Sequence, residues 1–266
     1  MNLDELSSNL ESRTSNLVSI ILANNETGVI QKIQPITQLC KKHGAMLHID
    51  AVQAFGKIRL NMAELGADMM TICAHKIGGP VGVAALCHRA DLELTPILFG
   101  GGQEKNKRPG TENLPAIIGF AAATEIGFVE TAMSPRSGVP CGGNAVVGTI
   151  KNLRDYLEAG LLKIASDAVI HGKDSPRIPN TTSISMPNME AATQLIHFDS
   201  KDICISAGSA CSSGKMETSR VLENMNVPML KNAVRISLGW GTTQEEIDNF
   251  LNEWEELYKR ANQLAV

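Results

Sequence analysis

Three polar marks close three apolar runs in the first third of the chain at nearly one interval. Asn24 and Asn25 follow residues 18–23, His48 and Asp50 close residues 45–49, and His75 with Lys76 follows residues 67–73. Each run is β-branched or aliphatic, and an interval of roughly 25 residues suits one crossover unit of a parallel sheet. Three parallel strands then end on one edge. In open α/β sheets the ligand lies beyond the carboxyl ends of the strands, so Asn25, Asp50 and Lys76 are expected to serve one ligand. An amide, a carboxylate and a lysine together point to pyridoxal phosphate chemistry. That cofactor is an electron sink only while its ring nitrogen stays protonated, which a carboxylate such as Asp50 favours. It also needs a lysine with a neutral amine, which burial beside cationic neighbours provides, and Lys76 is expected to fill that role. His75, residue 73 and the run Gly100-Gly101-Gly102 with Lys105, Lys107 and Arg108 are candidate phosphate donors. Taken singly, an Asp after a strand is a helix cap and a Lys is solvated. The common phase argues for the set.

A second constellation lies downstream, in Ser206-Ala207-Gly208-Ser209-Ala210-Cys211-Ser212-Ser213-Gly214-Lys215. Small neighbours leave the Cys211 thiol unpacked, and a loop thiol able to swing to a cofactor is a candidate nucleophile. Cys204, within Asp202-Ile203-Cys204-Ile205, is expected in the core.

With these residues in hand, the chain resembles the cysteine desulfurases of the NifS/IscS group, pyridoxal phosphate enzymes of the class-V aminotransferase family. The resemblance rests on Leu22-Ala23-Asn24-Asn25-Glu26-Thr27-Gly28-Val29-Ile30-Gln31, His48-Ile49-Asp50-Ala51-Val52-Gln53, and Ala74-His75-Lys76-Ile77-Gly78-Gly79-Pro80. It continues through Gly100-Gly101-Gly102-Gln103-Glu104, Arg108-Pro109-Gly110-Thr111-Glu112-Asn113, Pro179-Asn180-Thr181-Thr182, the Cys211 loop and Val234-Arg235-Ile236-Ser237-Leu238-Gly239. The resemblance implies that Lys76 is the Schiff-base lysine, that Asp50 partners the pyridine nitrogen and that Gln53 bonds the ring hydroxyl. His75 and Cys73 fall at the phosphate, Cys73 standing where the family usually has a serine. Asn25 falls at the cofactor and, with Arg235, on the substrate carboxylate. Thr111 matches a residue that reaches the phosphate of the neighbouring subunit in a homodimer. The implied reaction takes sulfur from L-cysteine, leaving alanine and a persulfide on Cys211 for an iron–sulfur scaffold or another acceptor protein.

The resemblance implies an α/β fold with an incomplete, mostly parallel sheet of the transferase large domain over residues 1–133. A smaller α+β domain carrying the cysteine loop follows over residues 134–266. Family members extend further at the amino end, with a phosphate-binding turn and a ring-stacking histidine that have no counterpart here. The alternatives are therefore an inactive or partner-dependent desulfurase fragment, or a selenocysteine lyase.

The elements that must position these groups are legible in outline. A helix is expected over residues 34–43, with Pro35 in its first turn and Gly44 as its stop. Another begins near Asn113 and runs towards Thr131. Turn-forming residues from Ser134 to Gly143 interrupt the pattern. Beyond them follow a helix over residues 146–165, strands near residues 183–186 and 234–238, and an amphipathic helix over residues 244–264. The chain has 266 residues, 43% of them apolar, and a net charge of −4 with both signs mixed, which gives nucleic acid no basic face. No apolar run has membrane-spanning length and the amino terminus is acidic, so a cytoplasmic location is expected. The six cysteines form no CxxC pair. His48 and Asp50 lack a third ligand at suitable spacing, so no metal is expected.

Overall fold

The computed structural model describes residues 2–12, 17–126, 143–208 and 218–264. It divides into two compact units, one of Met1–Leu22 and Gln31–Gly143, the other of Ala23–Ile30 and Asn144–Val266. The expected boundary after residue 133 lies outside the described residues.

In the first unit α1 (Leu3–Ser12) precedes β1 (Leu17–Ile21). Then come α2 (Ile33–Lys42), β2 (Met46–Asp50), α3 (Met62–Leu65), β3 (Met69–Cys73), β4 (Ala84–His88), α4 (Gln103–Asn106) and α5 (Leu114–Ile126). The sheet order is β1-β2-β3-β4, with β1, β2 and β3 parallel as the interval predicts and β4 antiparallel to β3. The helix expected from residue 34 forms as α2, which buries Ile33, Ile36, Thr37 and Cys40 and ends with Lys41 and Lys42 in its last turn. Those cations suit the negative end of the helix dipole. On one sheet face Val18, Ile20, Leu47, Ile49, Met70 and Ile72 are buried. On the other a polar row crosses three strands: Ser19 Oγ meets His48 Nδ1 at 2.7 Å, and His48 Nε2 meets Thr71 Oγ1 at 2.8 Å. Both His48 nitrogens are thereby engaged by hydroxyls. Among the described residues no group of three His, Cys, Asp or Glu side chains could hold a metal ion.

The second unit contains α6 (Gly143–Ile164), β5 (Val169–Ile170), β6 (Thr181–Ser185), α7 (Ala191–Asp199), β7 (Ser206–Ala207), α8 (Arg220–Asn224), β8 (Ala233–Ser237) and α9 (Gln244–Leu264). Its strands form an antiparallel sheet in the order β5-β6-β8-β7. Trp254 and Phe250 of α9 pack with Phe198 of α7, the two Phe rings stacked at 4.6 Å. Trp254 and Phe198 are fully buried. A buried pair braces β6, because Arg177 forks onto both Glu158 oxygens at 2.7 and 2.8 Å while Thr182 Oγ1 donates to the same carboxylate at 2.7 Å. Residues 23–30 join this unit through main-chain bonds: Ile30 N donates to Pro176 O at 2.8 Å and Ile178 N donates to Gly28 O at 2.9 Å. Cys204, expected in the core, is exposed. It lies in the irregular stretch between α7 and β7, where no regular strand turns its side chain inward.

Candidate active site

The first unit supplies the groups at the carboxyl ends of its strands. Asp50 closes β2, the middle strand of the parallel trio, and the strand end is fixed on both sides. Leu22 N donates to Asp50 O at 2.9 Å, and Ala51 N donates to Thr71 O at 3.0 Å. Asp50 Oδ1 accepts from Val52 N at 3.0 Å, opening a tight turn in which Ala54 N and Phe55 N both donate to Ala51 O. Asp50 Oδ2 has no hydrogen-bond partner among the described residues, which leaves an acceptor for a protonated ring nitrogen. Gln53 sits on this turn, and its Oε1 accepts from Lys57 Nζ at 3.0 Å.

β3 ends in buried Cys73 and runs into a single 3-10 turn carrying His75 and Lys76. Cys73 Sγ lies 3.9 Å from His75 Nε2. Gly79 N donates to Ala74 O at 3.0 Å, and a Cβ on Gly79 would lie 2.9 Å from Ala74 Cβ and 3.1 Å from Ala123 Cβ of α5. Only a glycine lets the lysine turn close against that helix. Burial was expected of Lys76; within this chain the residue is exposed. It makes no hydrogen bond or ion pair with another described residue, because the 3-10 turn projects it past the strand end. Thr111 is exposed in the segment before α5. Lys107 and Arg108 are exposed as well and donate to the nearby main chain, at Leu94 O (3.4 Å) and Pro109 O (3.0 Å).

The second unit holds Asn25 and Arg235. Arg235 lies in β8, paired with Ser183 of β6 on one side and Ser206 of β7 on the other. Its Nη1 donates to Asn25 O at 2.8 Å and its Nη2 to Ser206 Oγ at 3.1 Å. The Asn25 loop is tied in turn, since Asn24 Oδ1 accepts from Glu26 N and Thr27 N, both at 2.9 Å. Arg235 Nε is buried and has no acceptor among the described residues. A buried guanidinium donor without a partner is costly, so a carboxylate ligand has a physical reason to be held there. A cavity of about 210 Å³ adjoins it, lined by Glu26, Ser183, Glu190, Ser219, Lys231 and Arg235. Cys211 lies outside the described residues. Sequence reasoning missed Lys57 and Ser206. Lys57 could have been found from its i+4 spacing to Gln53 within a turn.

The first unit, an open α/β sheet that ends in a carboxylate and in a lysine with no partner among the described residues, has the form of the large domain of pyridoxal phosphate-type transferases, while the guanidinium and the Asn25 loop belong to the second, antiparallel α+β unit. The model of the class-V aminotransferase family matches residues 1–250, and the chain belongs to that family. It is 39% identical over 269 residues to a cysteine desulfurase of a Nostoc species, a match covering 100% of this chain and 64% of the relative. The cysteine desulfurase NifS of Azotobacter vinelandii is 36% identical over 241 residues, covering 89% of this chain and 56% of that protein. The chain thus spans less than two thirds of the length of these relatives. Among solved structures, a NifS-like protein of Rickettsia africae superposes with a TM-score of 0.83 at 38% identity, covering 97% of this chain and 67% of the other.

Proposed function

We propose that this chain is the catalytic portion of a cysteine desulfurase that uses pyridoxal phosphate, with L-cysteine as substrate and Cys211 as sulfur acceptor. The observation that carries the reading is the pairing of Asp50 with Lys76 on adjoining parallel strand ends, where Asp50 Oδ2 and the Lys76 amine both lack partners among the described residues. In a family whose relatives are named cysteine desulfurases, these are the two groups the cofactor requires.

Pyridoxal phosphate, when bound, supplies the electron sink for the bond cleavage. Asp50 holds the proton on the ring nitrogen, Gln53 bonds the ring hydroxyl, and His75 with the Cys73 thiol lies at the phosphate. Lys76 anchors the cofactor and moves protons at the substrate carbons. Arg235, oriented by Asn25 O and Ser206 Oγ, takes the substrate carboxylate. In the net reaction the substrate Cβ–S bond breaks and a Cβ–H bond forms, while the released sulfur enters the thiol of Cys211 as a persulfide. Alanine leaves, and no outside oxidant or reductant is needed. The persulfide is then transferred to an acceptor protein such as an iron–sulfur scaffold. The working form is a homodimer in the cytoplasm, with Thr111 reaching the partner's phosphate.

Borohydride reduction of the protein mixed with pyridoxal phosphate, followed by peptide mass spectrometry, should place one label per chain on Lys76. Lys76→Ala should lose alanine production from cysteine, while Cys211→Ser should keep the label at Lys76 and lose the persulfide. Wild-type alanine production by Lys76→Ala would sink the reading. One observation favours a second reading, a chain that works only with additional polypeptide: Leu17 and Ile21, on one face of β1, are each about half exposed, at 50% and 49%. Labelling at Lys76 that needs a supplied amino-terminal segment of a relative would support it.

A further inference from the structure

Lys57 is only 7% exposed, and its ammonium donates to Gln53 Oε1 at 3.0 Å. An ammonium offers donors and no acceptor, so this contact settles which end of the Gln53 amide faces it: the oxygen points to Lys57, and the NH2 end remains to donate elsewhere. The turn that carries both residues is closed by its own main chain, with Lys57 N and Ile58 N donating to Ala54 O at 3.0 and 3.1 Å. It is also wedged against the lysine turn. Gly56 has φ +72°, and a Cβ there would come within 2.6 Å of Ile77 Cγ2, the residue after Lys76.

We propose that Lys57 is a positioning residue for the cofactor: by holding the Gln53 oxygen it commits the Gln53 amide to donating, through its NH2, to the ionised ring hydroxyl of pyridoxal phosphate. The inference rests on the cofactor reading above. An ionised ring hydroxyl accepts hydrogen bonds and repels a carbonyl oxygen, so the two amide orientations have opposite effects on it. Without Lys57 the terminal amide torsion has two broad wells, and no other described residue bonds the Gln53 amide to select the donating one. The role differs from support of the fold in that its effect on the cofactor runs through Gln53.

The experiment titrates the full chain with pyridoxal phosphate and follows the visible absorbance of the bound cofactor against pH. Lys57→Met should weaken cofactor affinity about tenfold, the size of one hydrogen bond to a charged group, and raise the pH midpoint of the absorbance change. In a Gln53→Ala background the same substitution should change affinity less than about twofold, since the two residues act as one unit. Lys57→Arg, which also only donates, should restore the wild-type midpoint. If the methionine variant does not fold, Lys57→Gln makes the same comparison, because it stays polar yet can face Gln53 with either end.

Equal effects of the Lys57 substitution in the two backgrounds, or an unchanged midpoint with normal uptake, would overturn the role of Lys57 alone. A wild-type chain that takes up no pyridoxal phosphate, either alone or with a supplied amino-terminal segment of a relative, would overturn the cofactor reading and the role of Lys57 with it.

Discussion

Arg235 is held by two bonds to protein oxygens while its third nitrogen type has no partner among the described residues. A planar fork oriented in this way recognises a carboxylate through two parallel bonds, which the single ammonium of lysine cannot reproduce. Arg235→Lys should therefore raise KM for L-cysteine by roughly 10-fold or more while changing kcat far less, since the carboxylate is bound alike in ground and transition states. Steady-state kinetics separate the two constants, and a fall confined to kcat would count against the assignment. Cys73 is a different case. A thiol donates weakly to a phosphate oxygen, so Cys73→Ser should tighten pyridoxal phosphate binding by a few-fold, read by the same absorbance titration.

At the scale of elements, the second unit depends on how α9 meets α7. Trp254 is fully buried against Phe250, which stacks on Phe198. Trp254→Ala should cost about 3–5 kcal/mol, through lost burial and the cavity left behind, and should show as a lower denaturant midpoint. This helix was plain in the sequence, as were α2 and the three parallel strands, because apolar periodicity persists over each of them. β4 was not foreseen, since Ala84 to His88 has no clean alternation and only one large aliphatic residue, Leu86. The site was legible in part. Asp50 and Lys76 stand out because chemistry and strand phase coincide, whereas Gln53 was implied only by the family resemblance. The Arg235 to Asn25 bond joins residues 210 positions apart, and no local pattern announces such a contact. The expected core position of Cys204 failed because two flanking isoleucines imitate a strand that does not form there.

For the whole molecule, one contribution to acid sensitivity comes from a histidine outside the candidate site. His171 is 2% exposed, and its Nε2 lies 2.9 Å from Ser185 Oγ, whose own proton goes to Met229 O. Nε2 must therefore carry the ring proton, leaving buried Nδ1 with no partner among the described residues. Burial pushes its pKa down to about 4. Between about pH 6.5 and 4 the unfolded chain binds a proton that the folded one refuses, so stability falls as pH drops, by at most roughly 1.4 kcal/mol per unit. His171→Asn should be less stable at neutral pH and show a flatter loss across that window, measured as denaturant midpoints at a series of pH values.

The short stretch of residues 23–30 belongs with residues that follow it by about 150 positions, although the chain on either side of it builds the first unit. On a ribosome adding roughly 5–20 residues per second, that stretch waits about 8–30 s for Pro176 and Ile178 to emerge. In that interval the first sheet can form, with Asp50 and Lys76 already at its edge, while the loop bearing Asn25 has no partner. The two parts are thus built at different times: Asp50 and Lys76 are synthesised early, and the bond from Arg235 to Asn25 is made only when β8 has been synthesised.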